Sequence, residues 1–178
     1  MIKRSGFTLA EVLVTLVIIG IIAAMTIPTL LNNTNSQEYR SAIKKAIAMT
    51  NQAITMQYAL DGTNISDFST SANMRDSVFT KRLNVIKTAS TATFTGVAGN
   101  IDAIFYTADG MKFGVTGGAA CDAAGDTVCA TMYIDVNGDK KPNTLTTDAT
   151  KPLDVYEARI YAQRVVPYGA ATQAVMYN

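Results

Sequence analysis

The sequence predicts an α+β fold, a long N-terminal helix packed on a small antiparallel β-sheet domain. Three observations carry this expectation. Residues 7–27 form an unbroken apolar run with one acid, Glu11, near its start. Helical periodicity then resumes at Tyr39, Ile43, Ala46, Ile47, Thr50, Ile54 and Tyr58, the i, i+3, i+4 spacing of one buried stripe. Beyond Asp61-Gly62 the pattern changes to short alternating runs separated by turn residues, which is how strands read.

The first run, 21 residues from Phe7 to Ile27, is about 31 Å long as a helix and matches a bilayer core. Lys3 and Arg4 precede it and would stay on the cytoplasmic side. Apolar residues cover all sides of its first four turns, so lipid or neighbouring helices must bury it. Gly20, Ala23 and Ala24 permit close helix approach. Glu11 stands out, because a carboxylate in hydrocarbon costs roughly 2.5–3.5 kcal/mol and calls for a partner. Pro28 removes a donor and crowds the preceding turn, which predicts a helix break near Thr26–Pro28, as a kink or an unwound turn; the alternative is that Pro28 simply ends the span at the membrane surface. Asn32-Asn33-Thr34-Asn35-Ser36 are poor helix formers and soften the same joint. If Phe7–Leu60 formed one helix it would reach about 81 Å.

The segment Lys3-Arg4-Ser5-Gly6, Phe7-Thr8-Leu9-Ala10-Glu11 and the following apolar helix resembles the N-terminal signature of type IV prepilins and type II secretion pseudopilins. The resemblance covers about the first 30 residues. It implies a pilin-like fold, cleavage between Gly6 and Phe7 by a prepilin peptidase, and N-methylation of Phe7. It also implies filament assembly in which Glu11 meets the amine of a neighbouring subunit's Phe7. Within one chain the alternative partner is its own amine, since Glu11 lies one helical turn from Phe7. The implied partners are further copies of this chain, other pilins or pseudopilins, the peptidase, and membrane lipid before assembly. The implied location is the bacterial inner membrane, single-pass with the N-terminus cytoplasmic, then an extracytoplasmic filament. The chain accordingly divides into leader 1–6, membrane and assembly helix 7–28, amphipathic continuation 29–60 and globular domain 61–178. Competing readings are a minor pilin acting as adhesin or DNA-uptake module, and a non-polymerising single-span anchor. A secretory signal peptide fits less well, because the apolar run exceeds 7–15 residues and no clear A-x-A site follows.

Composition narrows the rest. Formal net charge is +1, and removing the two basic leader residues makes it −1. Neither value suits a nucleic-acid surface, and no dense basic patch is present. There is no histidine, which excludes His-based triads and His-ligated zinc. Nothing reads as an enzyme. Cys121 and Cys129, the only cysteines, are expected to pair in an exported domain, with free thiols the alternative.

Within residues 61–178, Ser69–Leu83 carries Met74, Val78, Phe79 and Leu83 on a helical stripe. Ile101–Thr107 and Met111–Thr116 flank Ala108-Asp109-Gly110, a hairpin signal. Ala130–Val136 and Val155–Val166 read as strands, the second by alternation of Tyr156, Ala158, Ile160 and Ala162 with polar neighbours. Helix over Asp154–Arg164 competes, with Asp154 as cap. Thr88–Gly99 reads as loop or weak edge strand. One ligand constellation stands out: Asp135, Asn137 and Asp139 within Asp135-Val136-Asn137-Gly138-Asp139-Lys140-Lys141-Pro142-Asn143. Oxygens at alternate positions suit Ca2+, and some pilin-like proteins and pseudopilins bind calcium in a C-terminal loop. Lys140 and Thr146 stand where an EF-hand needs glycine and glutamate, so this is not an EF-hand. The competing reading is a plain Asn-Gly turn.

Overall fold

The computed structural model describes residues 6–118 and 121–177, with residues 29 and 31–35 described in backbone only. Lys3 and Arg4 of the leader lie outside the described residues. Two compact units are present, residues 1–37 and residues 38–178. Helix α1 (Leu9–Asp61) contributes to both.

In the first unit α1 is exposed on all sides, and Leu9–Pro28 has a mean hydropathy of 2.5 over 20 residues, long and apolar enough to cross a bilayer. Its hydroxyls are satisfied within the helix: Thr15 Oγ1 donates to Val12 O at 2.9 Å and Thr26 Oγ1 to Ile22 O at 3.0 Å. That is the arrangement lipid demands. The expected helix break at Pro28 is absent; α1 runs through Pro28 and the Asn-rich stretch without interruption. A proline deletes only the one hydrogen bond its nitrogen would have donated to Ala24 O, and the turns on either side keep theirs.

In the second unit the C-terminal part of α1 buries one stripe, Ile43, Ala46, Ile47, Thr50, Ala53, Ile54 and Gln57. The stripe departs from expectation at its end, where Gln57 is buried and Tyr58 is 54% exposed. The cause is polar satisfaction. Gln57 Nε2 donates to Asp61 Oδ2 and Thr63 Oγ1, both at 2.8 Å, and Gln57 Oε1 accepts from Arg82 Nε at 3.1 Å. Gly62, at φ 68°, donates its N–H back to Tyr58 O and stops the helix as Asp61-Gly62 predicts.

The sheet has six antiparallel strands in chain order: β1 (Val85–Ala89), β2 (Ala103–Thr107), β3 (Lys112–Gly117), β4 (Ala130–Asp135), β5 (Val155–Ile160) and β6 (Val165–Pro167). Sequential hairpins need no crossover, so order follows sequence. One face carries Phe105, Phe113, Met132, Ile134, Tyr156, Ala158 and Ile160 into the core shared with α1. Short helix α2 (Ser71–Met74), a π-helical turn (Arg75–Phe79) and α3 (Thr80–Arg82) bring Met74, Val78 and Phe79 onto it. Phe79, Phe105 and Phe113 stack in series at 5.4 and 4.8 Å between centroids.

Two expectations need correction. Val155–Val166 is two strands, because Tyr161 N donates to Arg164 O and reverses the chain there. The last eight-residue helix, α4 (Ala170–Tyr177), carries no charged residue to mark it and was not expected. Edge strand β1 lies just upstream of most of the Ala/Ser/Thr-rich tract, which is loop beyond Ala89.

The opposite face holds a second, smaller core of Phe94, Ile101, Ile104 and Val155. It is covered by residues 90–101, a strap closed by an Ala92–Ile101 bridge. Gly114 on β3 makes room for it. A Cβ there would lie 2.7 Å from Ile101 Cγ2 and 3.0 Å from the Phe94 ring. Gly114→Val should therefore destabilise the domain by about 1–3 kcal/mol through overpacking. Thermal melting of the full chain in detergent checks this, and an unchanged melting temperature would contradict the tight contact.

Candidate functional site

The N-terminal site is built by the first turn of α1. Thr8 precedes the helix and Glu11 stands three residues on, the spacing of a capping box. Glu11 Oε2 accepts from Thr8 N and from Thr8 Oγ1, both at 2.8 Å, while Glu11 N donates to Thr8 Oγ1 at 3.3 Å. The one carboxylate of the apolar segment is thus satisfied inside its own chain, and it sits at the helix end where the dipole favours a negative charge. Phe7 is 92% exposed beside it and Gly6 is exposed before it, leaving the Gly6–Phe7 bond open to solvent. Thr8 is the member that sequence reasoning passed over; the S/T-x-x-E spacing was its signal.

The second site lies where β4 ends. Asp135 closes the strand, and residues 136–139 turn the chain. Gly138, at φ 76°, packs so tightly on the β2–β3 turn that a Cβ would meet Gly110 O at 2.6 Å. The chain returns through a cis Lys141–Pro142 bond to Asn143 at φ 50°. Asp154, just before β5, gathers this loop. Its carboxylate accepts from Asn143 N at 2.7 Å, Thr144 N at 2.8 Å and Asn137 Nδ2 at 3.2 Å.

Asp135 and Asp154 are both fully buried, and neither makes an ion pair among the described residues. Burial, then the charge of Asp154, pushes the Asp135 carboxyl up to about 7. Asp139 is held differently. Lys112 Nζ donates to its Oδ1 at 3.1 Å and Tyr106 Oη donates at 3.2 Å, and the Lys112 hydrogen bond holds its carboxyl below the usual range.

The side-chain amide of Asn143 faces Asp135 Oδ2, Gly138 O and Lys140 O. With its nitrogen turned toward them it donates to all three, at 2.7, 2.8 and 3.0 Å. Asn137 Oδ1 is buried with no hydrogen-bond partner.

Of the three residues singled out from sequence, Asp135 and Asn137 share this pocket with Asp154, while Asp139 turns to Lys112 and Tyr106. Asp154 and Asn143 were not recognised as its anchors. Neither carried a local signal, since their roles come from contacts between separate parts of the chain. No group of three His, Cys, Asp or Glu side chains converges among the described residues. The donors are instead one carboxylate, two carbonyls and an amide. With the Asn143 amide presenting Oδ1 instead, the set is all oxygen and fits a hard cation.

Cys121 and Cys129 are joined as a disulfide with Cα atoms 4.8 Å apart. It closes the loop leading into β4, where Cys129 N donates to Ile160 O at 2.8 Å.

An apolar helix opened by a Thr8–Glu11 cap follows two basic residues in the sequence, the arrangement that the resemblance to prepilins implies. Residues 1–27 match the prokaryotic N-terminal methylation motif. Over 59 residues the chain is similar to type II secretion system core protein G, 41% identical to that of Aeromonas hydrophila. To the proteins of Vibrio cholerae serotype O1 and Escherichia coli K12 it is 42% and 39% identical. Each match takes in 33% of this chain and 39–40% of the relative, so the chain spans about two fifths of the length of these curated relatives. No solved structure matches the chain.

Folded Asp135 titrates near 7 and an unfolded aspartate near 3.8. Between those values the folded state binds more protons, so stability increases as pH falls through 7 and is lost as pH rises through it. In chelator at pH 8, Asp135→Asn should stabilise the fold by on the order of 2 kcal/mol and flatten its pH dependence. Denaturant unfolding at pH 5 and pH 8 checks this. Equal stability of the wild-type chain at both would contradict the burial argument.

Proposed function

We propose that this chain is a structural subunit of a type II secretion pseudopilus, made as a membrane-anchored precursor and assembled through its N-terminal helix. The observation that carries the reading is the methylation motif at residues 1–27, joined to the similarity with core protein G. A prepilin peptidase cuts between Gly6 and Phe7, and the new Phe7 amine is N-methylated. The precursor sits in the inner membrane with residues 1–6 cytoplasmic and residues 7–28 in lipid; residues 61–178 form the exported domain with the continuation 29–60. Its partners are copies of itself and other pseudopilins.

The physical logic runs through Glu11. While a subunit is in lipid, Thr8 satisfies the carboxylate locally. In a filament the helix surface passes from acyl chains to neighbouring helices of equal apolarity. The only new polar partner is then the Phe7 amine of an adjacent subunit. An unpaired charge in that setting is costly, so pairing fixes the register of insertion. Pro28 lies in the helix without breaking it, and the resemblance supplies no further role for it here.

In the globular domain Asp135, Gly138 O, Lys140 O and Asn143 would hold Ca2+, with Asn137 and Asp154 ordering the loop, while Asp139 is engaged by Lys112. The ion would supply positive charge to a buried carboxylate.

Two outcomes are expected. The mature protein should begin at methylated Phe7 by intact mass, and Glu11→Ala should remove it from sheared filaments while leaving its membrane level unchanged; normal filaments from Glu11→Ala would overturn the pairing role. Calcium should raise the melting temperature of the wild-type chain by several degrees relative to chelator, as binding to the folded state requires. An identical melting temperature would remove the metal.

A further inference from the structure

We propose that Asn143 is a latch: cation binding at the β4–β5 loop, through this residue, holds the strap of residues 90–101 closed over the outer face of the sheet. The inference rests on the calcium reading above and adds to it a conformational consequence.

The strap has few other ties. Thr95 N donates to Asn143 O at 2.9 Å, and Leu145 N donates to Thr95 O at 2.9 Å. Among the described residues these are its backbone hydrogen bonds to anything beyond its own hairpin. Phe94 is its apolar anchor, 3% exposed, against Ile101, Ile104 and Val155. Tyr133 flanks Phe94 at 6.2 Å between centroids, and Lys112 Nζ lies 4.6 Å from the centre of its ring. Closing the strap therefore hides an apolar face, and opening it bares one.

Asn143 meets both sides of this arrangement. Its carbonyl holds the strap, its N–H is held by Asp154, and its amide faces Asp135 Oδ2, Gly138 O and Lys140 O. Without a cation, the amide nitrogen closes the loop by donating to those oxygens. With a cation, the same oxygens turn to the ion, and the amide must present Oδ1 to join them. The loop is then held by coordination rather than by one side chain's hydrogen bonds. Because Asn143 and Leu145 form the strap's seat, rigidity gained there passes directly to Thr95.

The test is hydrogen-exchange mass spectrometry on the full chain in detergent micelles, with calcium or with chelator, beside calorimetric titration of calcium. Calcium should slow exchange in residues 92–97 and 143–147 by about tenfold or more at saturating ion. Amides of the β3–β4 pairing should change little. Asn143→Gly keeps the positive φ and deletes the amide, and in this variant strap exchange should no longer respond to calcium. Calcium binding with unchanged strap exchange would overturn the latch and leave the metal site standing. Failure to bind calcium would overturn both. Full calcium-dependent protection in Asn143→Gly would show that another residue carries the coupling.

Discussion

One ionised group in twenty apolar residues is the constraint around which the N-terminal segment is organised. Lipid offers no hydrogen bonds, so the carboxylate of Glu11 must find its donors within reach. Thr8 supplies two of them at the helix end, where free N–H groups already favour negative charge. The position of the acid follows from this. Deeper in Leu9–Pro28 every backbone N–H is taken by the helix, and a carboxylate would be stranded. At the first turn it is satisfied and lies one helical turn from Phe7. Under the proposed assembly, the same placement would leave the acid available for pairing in a polymer.

The second unit solves its burial problem twice. One face of the sheet is covered by a helical stripe and a phenylalanine stack; the other is covered by a strap with little regular structure of its own. The first cover is stabilised by many large side chains. The second depends on Phe94, on the absence of a side chain at Gly114, and on hydrogen bonds to a loop that Asp154 gathers. Stability is accordingly uneven across the domain. Local opening is easiest where few apolar contacts and few backbone bonds hold a segment, which describes the strap and not the stack.

How far the sequence revealed this varied with the kind of signal. The long helix, its apolar and amphipathic parts, its stop at Asp61-Gly62 and the hairpin at Gly110 were legible, because each rests on local periodicity or a glycine with positive φ. The break at Pro28 was misread, since a helix absorbs one missing hydrogen bond when its neighbours persist. The division of residues 155–166 into two strands was hidden because alternation continues through the turn, Ala162 being as buried as Ile160. Helix α4 has no charged residues or stripe long enough to announce it. At the loop site, Asp135 and Asn137 were visible by spacing. Asp154 and Asn143 were not, because what makes them anchors is a contact across 10 or 11 residues set by the return of the chain.

That last difference bears on how the loop site works. Spacing identifies residues that stand close along the chain, and it picked out Asp139, whose carboxylate is taken by Lys112 and Tyr106. Removing Asp139 from the donor set leaves oxygens supplied largely by backbone carbonyls and an amide. Such donors are positioned by the loop's conformation rather than by side-chain rotamers. Affinity for a hard cation then depends on how firmly Gly138, Lys140 and Asn143 are held, and these are held by Gly110, Asp154 and the strap. Under the proposed latch, ion binding and closure of the outer face would be one equilibrium, because each would order the same short stretch of backbone that the other requires.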